Sequence, residues 1–338
     1  MQFRICVVGC GWVAEAMHGP AYVKYTGENK EAFLAGCCDI DEKKAAAFRK
    51  QFGFENAYTC MEEMLKTEKP DVVCLLSPAH LNAELAEVIL SKGFPLLMEK
   101  PPGRTGDETQ KLIDIARKGD IPHRVAFNRR YAPLVRALKE RLDDPRKIQS
   151  VQYDMLRVGR LDEDFSTTAI HAVDTAKFLA GSDYKTVRFD YREYPELGKN
   201  VADIHMHCIM ESGAVVKLNI CPVTGISREG ATVCLHDETF FLDYPGDPSN
   251  PSGKLTHFYK NDIKTEIEGS MMLDGTEQFE QQGFYYMNKS FFDALITGEK
   301  PSGELKETLQ SVMISDFIRN RRNIVQNDIL SFCNFPGF

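Results

Sequence analysis

The sequence predicts an α/β protein of two domains. Residues 1–125 should form a doubly wound parallel sheet, and residues 126–338 an α+β domain on a large, mostly antiparallel open sheet. Three observations support this fold class. The chain has 338 residues, more than the roughly 250–300 at which one hydrophobic core stops growing. Short apolar runs alternate with amphipathic segments up to about residue 125, and beyond it apolar runs follow one another directly.

In the first half, each short apolar run predicts a strand and each amphipathic segment predicts a helix. The strands are FRICVV, FLAGCCD, DVVCLL, FPLLM and HRVAF, and the helices between them include DEKKAAAFRKQF, AHLNAELAEVILSKG and DETQKLIDIARKG. Strand, helix and strand repeated in this way give right-handed crossovers and a parallel sheet covered on both faces.

The second half begins with the helical segment YAPLVRALKERL and continues with long β-rich runs. These runs are IQSVQYDMLRV, KTVRFDYREY, ADIHMHCIM, AVVKLNICPV, ATVCLHDETFFLDY and THFYKND, with one helix, TAIHAVDTAKFLAG, early among them. Strands that follow strands predict a largely antiparallel sheet with helices on one face. Two more helices, EQQGFYYMNKSFFDALITG and GELKETLQSVMISDFIRNRR, come near the end.

Composition excludes several classes of function. The hydrophobic fraction of 43% and the charged fraction of 27% are those of an ordinary globular protein. A net charge of −8 disfavours nucleic-acid and anionic-membrane partners, and no apolar run approaches the roughly 18 residues that cross a bilayer. The ten cysteines are scattered without CxxC pairs, which favours reduced thiols in a cytoplasmic protein.

A glycine pattern follows the first predicted strand. Gly9, Gly11 and Ala14 form GxGxxA at the start of a helix. In a dinucleotide site, the first glycine permits a tight turn, the second lets the backbone approach a pyrophosphate, and the alanine lets helix and strand pack closely. A plain glycine turn is the alternative, but the βαβ context favours phosphate binding at the helix start.

An acidic residue ends the second predicted strand. Asp39 lies 28 residues after Gly11, somewhat further than the usual ~20. A carboxylate here accepts hydrogen bonds from ribose hydroxyls and repels a 2′-phosphate, so NAD is favoured over NADP. The alternative interpretation is an exposed acid at the end of a strand.

Two polar segments follow later strands of the same half. Ser77-Pro78-Ala79-His80 comes after DVVCLL, and Glu99-Lys100-Pro101 comes after FPLLM. Both lie at carboxyl ends of parallel strands, the edge where open α/β sheets bind ligands. A lysine there can bind a substrate hydroxyl and stabilise a developing alkoxide. A surface turn is the alternative.

At these residues the chain resembles the Gfo/Idh/MocA oxidoreductases over essentially its whole length. The marks of the resemblance are GCGWVA at 9–14, CDID at 38–41, SPAHLNAELA at 77–86, MEKPPG at 98–103, AFNRRYAP at 126–133 and IHAVD at 170–174. The resemblance implies a Rossmann domain followed by a substrate-binding and oligomerisation domain. It also implies hydride transfer between a nicotinamide and a hydroxyl or keto carbon of a sugar, cyclitol or related polyol.

The resemblance implies that Lys100 and His171 are catalytic, with His171 as the acid/base, since an imidazole titrates near neutral pH. From spacing alone, His171 could equally be a core histidine. Substrate contacts are assigned to Lys100, Arg129, Arg157, Thr167 and His171. For Arg129 and Arg157 this rests on the ability of a guanidinium to bind a carboxylate or phosphate, and solvated or structural arginines are the alternative. Cofactor contacts are assigned to Gly9, Cys10, Gly11, Trp12, Val13, Asp39, Ser77, Pro78, His80, Glu99, Lys100 and Asn128.

The sequence departs from the family pattern at several positions. Thr167 stands where an Asp is common, so either Asp174 or Asp164 compensates, or the chemistry differs. Ala79 and Asn82 replace a common Asn and a common His in the nicotinamide-binding segment. Two alternative functions therefore remain: a non-catalytic dinucleotide-binding sensor or regulator, and an NAD-assisted non-redox enzyme such as a glycosidase.

Other expectations concern metals and partners. His205 and His207 lie two apart and share one strand face, as metal ligands can. With no third ligand evident, burial against a partner subunit is the simpler interpretation, and no metal is expected. The expected partners are a small sugar or polyol and a second copy of the chain, giving a homodimer or homotetramer through the C-terminal sheet. Neither nucleic acid nor membrane is expected.

Overall fold

The computed structural model describes residues 2–273 and 277–325. The chain divides into two compact units. The first comprises residues up to Asn128 together with Gly283–Leu309, and the second comprises Arg129–Gln282 and the residues from Gln310 onward. The domain limits expected from the sequence, 1–125 and 126–338, stay a prediction, and the end of the second lies outside the described residues.

The first unit contains a six-stranded parallel sheet in the order β3-β2-β1-β4-β5-β6. Its strands are β1 Phe3–Val8, β2 Ala32–Cys38, β3 Asn56–Tyr58, β4 Val72–Leu75, β5 Leu96–Met98 and β6 His123–Val125. This is the strand order of dinucleotide-binding sheets, so the predicted doubly wound domain is confirmed.

Helices cover this sheet. They are α1 Gly19–Glu28, preceded by a π-helical turn at Ala14–His18, α2 Glu42–Phe52, α3 Met61–Glu68, α4 Asn82–Ser91, α5 Gly106–Gly119 and α9 Phe284–Thr297. Local chemistry sets their limits, because Asp41 accepts the amide of Lys43 at 2.9 Å to cap α2. Gly53, with φ of +78°, ends the same helix.

Helix α9 belongs to the first unit although about 160 residues separate it from α5, the helix of that unit that precedes it. Phe292 of this helix contacts the rings of Phe3, Tyr22 and Tyr25. The buried guanidinium of Arg124 donates to the carbonyl oxygen of Met287 at 2.6 Å. Aromatic packing and a satisfied buried charge therefore attach α9 to this unit.

The second unit is built on a nine-stranded sheet in the order β14-β13-β12-β11-β7-β10-β9-β8-β15. Its strands are β7 Ser150–Leu156, β8 Tyr184–Glu193, β9 Ala202–Met210, β10 Val215–Cys221, β11 Arg228–Cys234, β12 Glu238–Asp243, β13 Lys254–Tyr259, β14 Asp262–Glu268 and β15 Ile324–Val325. Within the described chain, β10 and β7 pair in parallel and the other neighbours pair antiparallel. The large, mostly antiparallel sheet is thus confirmed.

One face of this sheet is covered by helices and contributes to the core. The helices of this half are α6 Pro133–Lys139, α7 Ser166–Ala180 and α8 Gln278–Gln281, and α10 Leu305–Arg319 crosses the division between the units. Inward residues such as Ile204, Met206 and Leu218 are buried, whereas their neighbours along each strand are partly or fully exposed. This alternation is the period-2 pattern of a half-buried sheet.

Two general expectations can be compared with the described residues. The cysteines that the structure describes are free, and most of them are buried. Over residues 2–273 and 277–325, every helix is too short or too polar to traverse a bilayer.

Candidate active site

The glycine turn after β1 is shaped by its neighbours. Gly9 has φ of +97°, and a Cβ built on it would lie 2.5 Å from the carbonyl oxygen of Leu76. Only glycine fits where the ends of β1 and β4 approach so closely. A Cβ on Gly11 would meet no atom within 4 Å, so this residue borders open space. Ala14 is fully buried, as close helix-strand packing requires.

Asp39 is held against this turn. Its carboxylate accepts the backbone amide of Cys10 at 2.8 Å and that of Asp41 at 3.0 Å. The acid at the end of β2 is therefore oriented by the glycine turn itself. The indole of Trp12, 74% exposed, and the partly exposed Val13 flank the turn. Open space at Gly11 beside a positioned carboxylate fits the phosphates and ribose of a dinucleotide.

A buried amide connects the two later segments. Asn82, fully buried at the start of α4, donates from Nδ2 to the carbonyl oxygens of Glu99 at 3.0 Å and Pro101 at 2.9 Å. Its Oδ1 accepts the hydroxyl of Ser77 at 2.6 Å. Asn82 therefore fixes the backbone on both sides of Lys100 and connects it to the end of β4.

The side chain of Glu99 points away from solvent. It is 6% exposed, accepts from His18 Nε2 at 3.1 Å, and accepts the amide of Lys100 at 3.2 Å. Because a carboxylate only accepts, Nε2 carries the proton and Nδ1 faces the Tyr22 hydroxyl at 3.1 Å. The bond between Lys100 and Pro101 is cis. Glu99 thus supports the backbone that carries Lys100.

The structure brings the predicted cofactor residues to one edge of the six-stranded sheet. Pro78 and His80 are exposed after β4, Lys100 is half-buried after β5, and Asn128 is buried shortly after β6. With the turn after β1 and Asp39 after β2, five strand ends contribute to this edge. This is the edge where open parallel sheets bind ligands.

In the second unit, His171 and Thr167 lie on α7. The side chain of His171 is largely buried. Thr167 Oγ1 donates to the carbonyl oxygen of Asp164 at 3.1 Å, one turn earlier. Asp174 accepts two hydrogen bonds from the guanidinium of Arg130, at 2.7 and 2.6 Å, and one from Ser311 at 3.2 Å. Asp174 is therefore the partner of a buried arginine.

The arginines assigned to substrate converge on one acid. Arg129 donates to both carboxylate oxygens of Glu229, at 2.7 and 2.5 Å, and Arg157 also donates to it. The Tyr153 hydroxyl completes the cluster at 2.6 Å. Burial lowers the pKa of the Arg157 guanidinium to about 10, and the nearby Arg129 acts in the same direction. These two arginines are brought together by Glu229, while their contact with substrate stays a prediction.

Three structural partners were not identified from the sequence: His18, Asn82 in its buried role, and Glu229. His18 is separated from Glu99 by 81 positions and Arg129 from Glu229 by 100. No local pattern indicates pairs so distant. The sequence places Asn82 five residues beyond Ser77, at the start of a helix, but its amide donates to carbonyl groups in the segment after β5.

We expect Asn82→Leu to lower the free energy of unfolding by about 2–6 kcal/mol, because two buried carbonyl oxygens lose their donor at about 1–3 kcal/mol each. Urea denaturation of the purified protein measures this change. Glu87→Gln is the control on the same helix, since it removes a surface ion pair with Lys111 worth about 0–1 kcal/mol. Equal effects of the two changes would contradict the role of Asn82.

Comparison with known proteins gives a family and several relatives. Residues 3–127 match the GFO_IDH_MocA model, described as an oxidoreductase family with an NAD-binding Rossmann fold. The chain is 34% identical over 161 residues to a levoglucosan dehydrogenase of Pseudarthrobacter phenanthrenivorans, covering 42% of this chain and 41% of that protein. It is 28% identical over 139 residues to a D-glucoside 3-dehydrogenase of Escherichia coli, covering 41% and 38%. These matches thus span about two fifths of each relative.

A solved structure extends the similarity in fold. The levoglucosan dehydrogenase complex with NADH superposes with a TM-score of 0.82 at 18% identity, covering 97% of this chain and 99% of that one. At this identity the likeness concerns the fold. The family-model match supports the resemblance drawn from the motifs, and residues 3–127 match the Gfo/Idh/MocA oxidoreductase family.

Proposed function

We propose that this protein is an NAD-linked oxidoreductase that transfers a hydride between the nicotinamide and a hydroxyl or keto carbon of a sugar, cyclitol or related polyol. The observation that carries this proposal is the sheet edge of the first unit. There a glycine turn with open space at Gly11, an oriented Asp39 and the braced Lys100 follow strands of one parallel sheet. Relatives named levoglucosan and D-glucoside 3-dehydrogenase support the substrate class.

In this proposal the first unit holds the dinucleotide. The amides near Gly11 would receive the pyrophosphate, since helix starts attract anions. The Asp39 carboxylate would accept the ribose hydroxyls, because the amide of Cys10 already turns it toward the loop. When bound, the nicotinamide supplies the hydride acceptor or donor at C4.

The ammonium of Lys100 would bind the reacting oxygen of the substrate and stabilise negative charge that develops there. Asn82 donates to the carbonyl oxygens on both sides of Lys100, and Glu99 accepts the Lys100 amide. A charge positioned in this way contributes more to catalysis than an unrestrained one. His171 would exchange the hydroxyl proton as acid/base. Thr167, with its hydroxyl on the Asp164 carbonyl oxygen, supplies no carboxylate to that imidazole.

We further propose that the protein is cytoplasmic, that it prefers NAD to NADP, and that it forms a homodimer or homotetramer through the sheet of the second unit. The buried, reduced thiols support the location, and the Asp39 carboxylate supports the cofactor. Multi-angle light scattering tests the oligomeric state.

The experiment that tests the function is a screen of polyols, aldoses and inositols with purified protein, followed by absorbance of the reduced nicotinamide. Turnover with at least one sugar or cyclitol supports the proposal. Tight dinucleotide binding without turnover of any compound would instead identify a sensor. Product formation with no net change in the redox state of bound cofactor would identify a non-redox enzyme.

We expect NADH to bind more tightly than NADPH, because the 2′-phosphate would meet the Asp39 carboxylate. Asp39→Ser should reduce this preference by about tenfold or more, which corresponds to about 1.4 kcal/mol of lost discrimination. Fluorescence titration with each dinucleotide measures it. Asp41→Ser is the matched control, since serine keeps the helix cap. A wild-type protein that prefers NADPH would remove the role of Asp39.

A further inference from the structure

Away from the strand ends discussed above, three residues with different metal-binding groups meet on the open face of the nine-stranded sheet. Asp203 and His205 lie on β9 and Cys221 ends β10, and one potential ligand atom of each lies within 4.8 Å of the others. The register explains this, because Ile204 pairs with Ile220 and thereby places Asp203 beside Cys221. These outward positions alternate with buried ones along β9.

A chain of hydrogen bonds fixes the imidazole of His205. The Asp154 carboxylate accepts from Asn219 Nδ2 at 2.6 Å, and a carboxylate only accepts, so the amide oxygen of Asn219 must face the other way. That oxygen lies 2.9 Å from His205 Nδ1. The neutral ring therefore carries its proton on Nδ1 and its lone pair on Nε2. Histidines that bind metals are commonly oriented in this way by a polar partner on the second nitrogen.

The Asp203 carboxylate and the Cys221 thiol also have neighbours that bear on metal binding. The Tyr194 hydroxyl donates to one oxygen of Asp203 at 2.6 Å, which orients the carboxylate. The Cys221 thiol lies beside Asp203 on the neighbouring strand, and binding of a cation would release the thiol proton to solvent as the sulfur–metal bond forms. The nearby Asp154 adds negative potential, which attracts a cation.

We propose that Asp203, His205 and Cys221 bind a divalent cation of the zinc class, with water in a fourth position. Nitrogen, oxygen and sulfur donors on one ion are typical of Zn²⁺. Metal–ligand lengths of about 2.0–2.3 Å put tetrahedral ligand atoms about 3.3–3.7 Å apart. Small side-chain rotations would bring the three ligand atoms, now within 4.8 Å of one another, to these distances. The sequence led us to expect no metal, because no third ligand was evident beside His205 and His207. The structure instead pairs His207 with Lys217 and supplies Asp203 and Cys221.

The test is titration of the reduced, chelator-treated full chain with Co²⁺, which reports its own coordination. We expect a near-ultraviolet thiolate-to-cobalt band and visible bands of tetrahedral intensity, both abolished by excess Zn²⁺. Cys221→Ser should remove the thiolate band, and His205→Asn should weaken binding at least about tenfold. Cys234→Ser and His207→Asn are matched controls on the same face and should bind as wild type.

A second pair of variants separates coordination from simple folding defects. Asn219→Leu should weaken Co²⁺ binding about 10–100-fold by releasing the imidazole, whereas Lys217→Leu on the same strand should not. Circular dichroism of each variant confirms that the sheet is retained. The proposal is overturned if no thiolate band forms at saturating Co²⁺, if the band persists in Cys221→Ser, or if the controls lose it as well.

Discussion

Lys100→Ala should lower kcat by a factor of about 10²–10³, the usual cost of removing one preorganised donor from a developing oxyanion. The dinucleotide affinity should change little, because the glycine turn and Asp39 hold that ligand in our proposal. The change leaves in place the hydrogen bonds of Glu99 to the Lys100 amide and of Asn82 to the carbonyl oxygens on either side of Lys100. Steady-state kinetics on a substrate found by the screen, with NADH titration beside it, measure both quantities.

Lys92→Ala is the control for Lys100→Ala. It removes the same group from an exposed position at the end of α4, away from the carboxyl edge of the sheet. Its kcat should equal that of the wild type. A Lys100→Ala protein with undiminished turnover would refute the catalytic assignment, and loss of dinucleotide binding in that variant would give Lys100 a different role.

Gly9→Ala and Gly11→Ala should separate stability from ligand binding. A methyl on Gly9 meets the Leu76 carbonyl oxygen at 2.5 Å with φ of +97°. We expect the free energy of unfolding to fall by about 2–5 kcal/mol, from a left-handed backbone costing about 1–2 kcal/mol and overpacking costing about 1–3 kcal/mol. A methyl on Gly11 meets nothing within 4 Å, so stability should stay within about 0.5 kcal/mol.

For NADH affinity, in contrast to stability, we expect the larger effect from Gly11→Ala. The Gly11 methyl would occupy the space through which the pyrophosphate approaches the backbone, so Gly11→Ala should weaken NADH binding by about tenfold or more, or 1.4 kcal/mol. Urea denaturation and fluorescence titration of each variant provide the two measurements. If Gly11→Ala bound NADH as the wild type does, the proposed phosphate position would be wrong.

Much of the fold was predictable because burial follows the sequence pattern directly. The run FRICVV is buried at nearly every position in β1, and alternation such as ADIHMHCIM in β9 matches a half-buried strand. The strand β3 and helix α3 were not predicted. Strand β3 has three residues, Asn56–Tyr58, of which two are exposed, so neither its length nor its polarity distinguishes it from a loop.

The candidate site was predictable where its residues follow strands. Gly9, Asp39 and Lys100 could be assigned to one edge because carboxyl ends of parallel strands coincide. The residues that support them could not be predicted, because Glu99 contacts His18 and Asn82 contacts Pro101 only after the strands assemble. Likewise, the acid that binds Arg129 comes from β11, and tertiary pairing across 100 positions leaves no local trace.

The membership of α9 in the first unit affects how that unit folds while the chain is being synthesised. A ribosome that has released residues up to Asn128 has produced the whole parallel sheet, yet Phe3 and Tyr25 still lack the aromatic partner Phe292. At about 5–20 residues per second, the nascent chain waits on the order of ten seconds for that partner. During this interval the aromatic surface that Phe292 covers is still open, and a single cut after residue 128 leaves the first unit without α9.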